Sequence, residues 1–235
     1  MPYMDWDDDT MRFMMAMFPL VGIVIGCLLA LWWWVVDTLG FGLLLRAVGL
    51  TLIPIIVSGG IHMDGFADVV DASASHADQA RRQEILKDPH AGAFAILGVC
   101  SYLLAYVGFV SEVSPEHLLA LCCVPVVSRC LSGLATVLLR PARTSGMYAA
   151  ERGSADKHMS VIILVVFLMS AGVILCLHDL VVGLSMFVVA AAVLVAVKTY
   201  ADRAFGGMSG DLAGFYLQVA ELSMIVCIAL VGKLV

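Results

Sequence analysis

About seven long apolar stretches dominate this chain of 235 residues and restrict what it can fold into, because a bilayer-spanning helix needs ~20 mostly apolar residues. They lie near residues 13–36, 43–58, 92–110, 117–139, 159–177, 180–197 and 212–232. The chain is 62% hydrophobic and has a mean hydropathy of +1.00, values typical of membrane proteins. The pattern predicts an all-α, polytopic transmembrane helix bundle forming a single domain, 1–235, surrounded by lipid.

Polar residues collect in three longer loops, near 59–91, 140–158 and 198–211. The first loop is predicted to contain two short helices, from about His62 to Ser73 and from about Asp78 to Lys87. Proline disfavours helix at the residue before it, so Asp88, which precedes Pro89, is expected in turn or extended geometry. The stretch 43–58 is short and contains Pro54, which predicts a kink or a partly re-entrant segment.

Basic residues are distributed unevenly between the two ends of the predicted spans. If the N-terminus is cytoplasmic and all spans cross, the lysines and arginines of the three longer loops lie inside, and the short outer connections hold Asp37, Glu112, Glu116 and Asp179. This asymmetry follows the positive-inside rule. It predicts a multi-pass membrane protein with a cytoplasmic N-terminus and the polar loops, including any active site in them, on the cytoplasmic side.

Three carboxylates in the first loop form one stripe. Asp64, Asp68 and Asp71 are spaced i, i+4, i+7, so a helix turns all three the same way. Like charges at helical neighbours destabilise a helix, and no basic residue lies between positions 62 and 80 to neutralise them. The pattern favours a Mg²⁺ site that grips a phosphate over the alternative, a solvated helix face.

The same loop continues with Arg81, Arg82, Glu84, Lys87 and Asp88. Asp88 or Glu84 is a candidate second anchoring carboxylate, and the basic residues are candidate phosphate contacts. The positive-inside bias explains the basic residues equally well.

Arg129 and Glu221 are ionisable residues that lie deep inside predicted spans. Ser132 and Thr136 share the helix face of Arg129. An ionised group within a membrane needs a partner or a wet cavity. Two interpretations stay open: a structural Arg129–Glu221 pair, or two groups lining a pocket open to the cytoplasm.

The third loop is rich in glycine, and we treat Gly207 and Ser209 as candidate substrate contacts. Free N–H groups followed by a helix start are the ingredients of an anion site, and Ser209 is a predicted N-cap before Asp211. The second loop supplies further candidate phosphate contacts in Arg140, Arg143 and Arg152, although the positive-inside bias explains each of them equally well. His62 lies opposite the aspartates on its helix but belongs to the same motif and is counted with the substrate contacts.

These motifs together closely resemble those of the cobalamin synthase family, also called adenosylcobinamide-GDP ribazoletransferases. The likeness rests on Gly59 to Asp71 and Arg82 to Gly92, and continues in shorter matches at Ser128-Arg129, Arg143 to Met147 and Gly206 to Asp211, with Glu221. It covers most of the chain in order. The chain departs from the family pattern at Ala72, at the tract 73–76, at Tyr148 and at Ser209, without loss of an acidic residue.

The resemblance implies a transferase of the cell inner membrane that completes cobalamin (vitamin B12) biosynthesis. It would transfer adenosylcobinamide phosphate from adenosylcobinamide-GDP to α-ribazole or α-ribazole 5′-phosphate and release GMP, with Mg²⁺ as cofactor. Asp64, Asp68 and Asp71 would hold the metal. Asp64, Asp68, Asp88, Arg129, Asp211 and Glu221 are the expected catalytic residues, with substrate contacts from His62, Arg81, Arg82, Arg143, Gly207 and Ser209.

Other interpretations remain at this stage. Intramembrane Arg129 and Glu221 also suit an ion-coupled secondary transporter. Another Mg²⁺-dependent membrane transferase with a pyrophosphate substrate would use the same carboxylates. The partners expected are the corrinoid nucleotide, ribazole and the bilayer, with no nucleic acid. A homo-oligomer, or association with other cobalamin-assembly enzymes, stays open.

Overall fold

The computed structural model describes residues 13–142 and 156–234, and this part of the chain is helical. The α-helices are α1 (Met14–Thr38), α2 (Leu43–Val57), α3 (Ile61–Ala74), α4 (Gln79–Ile85), α5 (Ala93–Ser111), α6 (Leu118–Leu138), α7 (Lys157–His178), α8 (Leu180–Ala204) and α9 (Gly210–Val231). A short 3₁₀ turn, Pro115–His117, precedes α6. The predicted all-α bundle is confirmed, and α3 and α4 match the two short helices predicted in the first loop.

Six described helices are long and apolar enough to cross a membrane: α1, α5, α6 with its preceding turn, α7, α8 and α9. The second predicted span differs, because α2 has only 15 residues and meets the length test only together with α3, which is bent from it by 93°. The chain is a multi-pass membrane protein with six candidate spans, or seven if this bent pair counts as one.

The break between α2 and α3 has a local cause. Gly59 and Gly60 have φ angles of +63° and +78°, in the left-handed region that glycine enters without a Cβ clash. The amide of Gly60 bonds back to Ile55 O at 2.9 Å and closes the end of α2. The two glycines thus stop one helix and turn the next, which carries the aspartates, across the bundle.

Close packing of α1 on α6 forms the centre of the bundle. A Cβ on Gly22 would lie 2.6 Å from Pro125 O, and one on Gly26 would lie 2.4 Å from Cys122 O. Small residues let membrane helices approach to backbone contact, where dispersion forces are strongest. This approach fixes α1 beside the face of α6 that carries Arg129, Ser132 and Thr136.

The end of the bundle remote from α3 contains polar contacts of its own. Lys233 pairs with Glu112, and His117 Nδ1 lies 3.9 Å from Asp179 Oδ2. Asp179 also caps α8 by accepting a hydrogen bond from the Val182 amide at 2.9 Å. These pairs join the short connections at this end, whereas the predicted site residues that the structure describes lie at the opposite end or in the interior below it.

Candidate active site

The carboxylate stripe of α3 faces the start of α9. A Cβ on Gly65 would lie 2.9 Å from both Cα and O of Asp211, and one on Gly214 would lie 3.0 Å from His62 O. Glycine at both positions therefore allows α3 and α9 to touch along their backbones. The contact brings Asp211 beside Asp64 and Asp68, although nearly 150 residues of sequence separate them.

Asp68 is half-buried and lies in the electrostatic field of the other carboxylates. Partial burial raises its pKa to about 6, with further contributions from the negative charges of Asp64, Asp211 and Asp71, in that order. Asp64 itself is exposed. The site is thus a corner of concentrated negative charge, and a bound cation would relieve the repulsion.

Asp71 has a second role that the stripe did not predict. Its Oδ1 accepts a hydrogen bond from the amide of Ala95 at 3.3 Å, in the first turn of α5. A Cβ on Gly92 would lie 2.3 Å from the same oxygen. The carboxylate therefore accepts a hydrogen bond from a free amide at the N-terminus of α5, where negative charge is favourable. This contact links α3 to α5.

The carboxylates at this corner are the candidate ligands of Mg²⁺. Across residues 13–142 and 156–234, no three His, Cys, Asp or Glu side chains are grouped closely enough to hold a metal ion by themselves. Magnesium commonly uses only one or two carboxylates and completes its octahedron with waters and substrate phosphates. Asp64 and Asp68, in the field of Asp211, provide such a donor set, so the residues fit the ion when a phosphate substrate supplies further ligands.

Arg129 and Glu221 form the buried pair that was predicted as one of two interpretations. Arg129 Nη1 lies 2.5 Å from Glu221 Oε1, and the two side chains are 2% and 3% exposed. Ser128 Oγ donates to the same oxygen at 2.8 Å, and Arg129 Nη1 also donates to Pro125 O at 3.1 Å. The pair joins α6 to α9, and these hydrogen bonds compensate part of the cost of burying two charges.

A cavity of about 450 Å³ opens beside the carboxylate corner. Four helices enclose it, with walls from α1 (Met14, Met15, Met17, Phe18, Val21), α3 (Ile61, His62, Asp64), α6 (Ser132, Thr136) and α9 (Gly210, Asp211, Ala213, Gly214, Leu217). The second interpretation, in which Arg129 and Glu221 line a pocket, is wrong for these two residues, although a pocket exists beside them. Ser132 and Thr136 line the cavity, while Arg129 and Glu221 are buried outside its lining.

His62 connects the cavity to the buried pair. Its ring packs edge-on against Phe18, with centroids 5.9 Å apart, and the Arg129 guanidinium lies 5.9 Å from that Phe18 ring. Burial, then the positive charge of Arg129, lower the pKa of His62 to about 4. The imidazole is thus neutral near pH 7 and borders the same cavity as Asp64, although the two side chains leave α3 in nearly opposite directions.

The backbone of the glycine-rich loop before α9 is hydrogen-bonded to neighbouring segments of the chain. Met208 N donates to Arg140 O at 3.0 Å, Ala142 N donates to Met208 O at 2.7 Å, and Gly207 N donates to Ala201 O at 3.2 Å. The amides of Gly207 and Met208 are therefore occupied, so the prediction that this loop offers free N–H groups is wrong at these two positions. Ser209 caps α9 as predicted, accepting from Leu212 N at 3.3 Å.

Gly207→Ala is expected to lower the stability of the whole site. The φ of Gly207 is +146°, and an added Cβ would lie 2.9 Å from Ala142 N and Arg140 O. Strain of this kind costs on the order of 1–3 kcal/mol. We expect a lower midpoint of thermal unfolding in detergent for Gly207→Ala. Gly108→Ala is the matched control, because its added Cβ meets no atom within 4 Å in the described structure; equal midpoints for the two variants would contradict this account.

The remaining candidates of the first loop lie on α4 and after it. Arg81 is exposed and pairs with Glu84 at 2.8 Å. Arg82 Nε is buried and has no hydrogen-bond partner among the described residues, so its guanidinium is the better candidate for an anionic ligand. Asp88 is exposed and outside the helix, as predicted; its hydrogen bonds with His90, first to the ring and then to the amide, lower the pKa of Asp88. Arg143 lies outside the described residues.

The profile of the family described as Cobalamin-5-phosphate synthase matches residues 1–229. The chain belongs to this family. It is 39% identical over 221 residues to the adenosylcobinamide-GDP ribazoletransferase of Lachnoclostridium phytofermentans, covering 94% of this chain and 85% of the relative. The proteins of the same name from Clostridium botulinum strain Alaska E43 and Geobacillus sp. strain WCH70 are each 31% identical, over 94% and 92% of this chain and 88% and 85% of theirs. No solved structure matches the chain.

Sequence reasoning missed one wall of the site in this cobalamin-5-phosphate synthase family member. Met14, Met17 and Phe18 read as ordinary residues of an apolar span, but the structure places them against the cavity. The sequence could have identified them only by their position, because they lie at the start of the first span, at the end of the bundle where the polar loops lie. Ala213 and Gly214 were missed for the opposite reason, since small residues carry no chemistry of their own.

Proposed function

We propose that this chain is an adenosylcobinamide-GDP ribazoletransferase that joins adenosylcobinamide phosphate to α-ribazole or its 5′-phosphate and releases GMP. Family membership supports the activity, because the relatives that match nearly the whole chain carry that name. The observation that supports the site is the placement of Asp64 and Asp211 on the border of a mostly apolar cavity, beside Asp68. A charged corner for a pyrophosphate adjoins a small cavity suited to an acceptor.

The transfer is a substitution at phosphorus. A ribose hydroxyl of ribazole attacks the phosphorus that carries the cobinamide, and a new O–P bond forms. The bond from that phosphorus to the bridging oxygen breaks, and GMP leaves with this oxygen. Asp211 receives the hydroxyl proton in our proposal, because it borders the cavity, whereas Asp88 is exposed beside His90 and Glu221 is held by Arg129 and Ser128.

Asp64 and Asp68 are the proposed ligands of Mg²⁺, with Asp71 next to them on the helix and committed in part to α5. When bound, the metal would neutralise charge on the pyrophosphate and on the departing phosphate. The protein's own contribution is to fix these carboxylates against α9 through Gly65. It also supplies Arg82, a half-buried residue whose Nε has no hydrogen-bond partner among the described residues, as an anion contact.

We further propose that the site faces the cytoplasm and that the N-terminus lies on that side of the inner membrane. The support is the distribution of basic residues, since Arg81, Arg82, Arg140 and Lys157 belong to the loops at the site end. At the opposite end of the bundle, Lys233 is a basic residue of the described part, and it is paired with Glu112. This orientation would expose the site to cytoplasmic nucleotides.

The activity is tested with purified full-length protein, adenosylcobinamide-GDP, α-ribazole and Mg²⁺, measuring GMP and the joined corrinoid in equal amounts. We expect both products with Mg²⁺ and neither in excess EDTA, with activity restored when Mg²⁺ is added back. Absence of GMP with every divalent cation tried would contradict the activity. GMP release that is indifferent to EDTA would contradict only the metal assignment.

A further inference from the structure

We infer that the cavity between α1, α3, α6 and α9 is the acceptor site and holds ribazole, with its base against α1 and its ribose toward Asp64 and Asp211. This inference rests on the proposed function and assigns the place of one of the two substrates. Nothing in the motif of α3 identifies it, because most of the cavity wall comes from other helices.

The size of the cavity separates the two substrates. Its volume of about 450 Å³ falls within the range of roughly 300–1,000 Å³ typical of small-molecule sites. A nucleoside fits such a space, whereas a corrin ring with its amide side chains and nucleotide is far larger. The corrinoid substrate must therefore lie mainly outside, with only its pyrophosphate at the carboxylate corner.

The chemistry of the lining selects the kind of nucleoside. Met14, Met17, Phe18 and Leu217 present apolar surface, while the polar groups lie on α3, α6 and the start of α9. A dimethylbenzimidazole base is apolar and suits the first wall. Guanine would leave several donors and acceptors unpaired against it, which is costly. The guanosine end of the corrinoid nucleotide is thus disfavoured as the occupant.

The polar groups match a ribose. Thr136 Oγ1 donates to Ser132 O at 3.0 Å and keeps lone pairs that can accept from a ligand hydroxyl. Asp64 and Asp211 border the same space. A ribose placed between Thr136 and these two carboxylates has a hydroxyl next to Asp211, the proposed proton acceptor. The same hydroxyl lies next to the carboxylate corner that would hold the pyrophosphate, so its oxygen and the phosphorus that it attacks meet at the cavity mouth.

The test measures equilibrium binding of α-ribazole alone, through the fluorescence of its base, to the full chain in detergent. Ala213→Leu adds volume at the cavity wall and is expected to weaken ribazole binding at least about tenfold, because overfilled sites are costly. The apparent affinity for adenosylcobinamide-GDP in the GMP-release assay should stay unchanged. Ala196→Leu is the matched control, since Ala196 lines a separate cavity between α3, α8 and α9, and it should bind ribazole like the wild type.

Thr136→Val supplies a second variant that preserves shape, with an expected loss of about fivefold in ribazole affinity for one hydrogen bond. If Ala213→Leu is not recovered folded, Thr136→Val alone tests whether ribazole binds in this cavity. Unchanged ribazole affinity in the folded variants, or weaker binding of the corrinoid nucleotide instead, would overturn the assignment while leaving the activity intact. A wild type that binds ribazole but releases no GMP would contradict the proposed function. The cavity assignment would still be supported if Ala213→Leu and Thr136→Val weakened that binding and Ala196→Leu did not.

Discussion

Asp68→Asn is expected to abolish GMP release and, at the same time, to raise the thermal stability of the metal-free protein. Asp68 is half-buried among the charges of Asp64, Asp211 and Asp71, which cost stability when no cation is bound. The uncharged amide removes that repulsion but also removes a proposed metal ligand. Loss of a ligand worth several kcal/mol in the transition state lowers kcat/KM by at least about a hundredfold.

The destabilising effect of the Asp68 charge can also be measured through the pH dependence of stability. The pKa of Asp68 is about 6 in the folded protein, above its ordinary value of 3.8, so the folded state binds more protons between these values. Stability of the metal-free protein should therefore fall as pH rises from about 4 to about 6. This portion of the pH dependence should be absent from Asp68→Asn. Because Asp68 is partly exposed, solvent screening reduces the size of the effect.

Asp64→Asn is the companion variant for activity, and Glu116→Gln at the opposite end of the bundle is the control. We expect Asp64→Asn to lose activity as Asp68→Asn does, and Glu116→Gln to behave like the wild type. Thermal unfolding is measured in EDTA and again in Mg²⁺ with adenosylcobinamide-GDP, where the wild type should gain stability and the two aspartate variants should not. Near-normal GMP release by both aspartate variants would refute the metal assignment.

Helix periodicity and length were sufficient to predict the architecture. The apolar stretches marked the spans, and the Gly59-Gly60 pair with the i, i+4, i+7 aspartates marked α3. The start of α4 agrees with the sequence prediction, since Asp78 caps the helix by accepting from the Arg81 amide at 2.9 Å, whereas the helix ends at Ile85, two residues before the predicted end. The exception, α2, was too short to be judged alone, because its relation to the membrane depends on the 93° turn that follows.

Contacts between distant segments could not be predicted in this way. The sequence placed Asp211 at a helix start, but only the packing of Gly65 against α9 brings it to Asp68. Asp71 looked identical to its two neighbours on the stripe, yet its carboxylate reaches α5. The loop 205–209 looked like an anion site because glycine-rich loops often leave amides free, whereas the amide of Gly207 is bonded to Ala201 O and that of Met208 to Arg140 O. Each of these outcomes depends on tertiary geometry that local patterns do not encode.

Removing either partner of the Arg129–Glu221 pair is expected to cause the largest loss of stability in this protein. Glu221→Gln leaves the Arg129 charge, 2% exposed, without its counter-ion, and breaking a buried pair in this way costs about 3–5 kcal/mol. Arg129→Met leaves Glu221 with Ser128 alone. We expect each single variant to give little folded protein by size-exclusion chromatography in detergent.

The double variant Arg129→Met/Glu221→Gln separates a structural role from a chemical one. It removes both charges of the pair, so neither is left buried without its partner, and we expect more folded protein than from either single variant. We expect a coupling energy of about 1–3 kcal/mol in a double-mutant cycle. Since neither side chain lines the cavity, the folded double variant should keep most of its GMP release. A folded but inactive double variant would instead place these charges in the reaction, and additive losses would show that the two residues act independently.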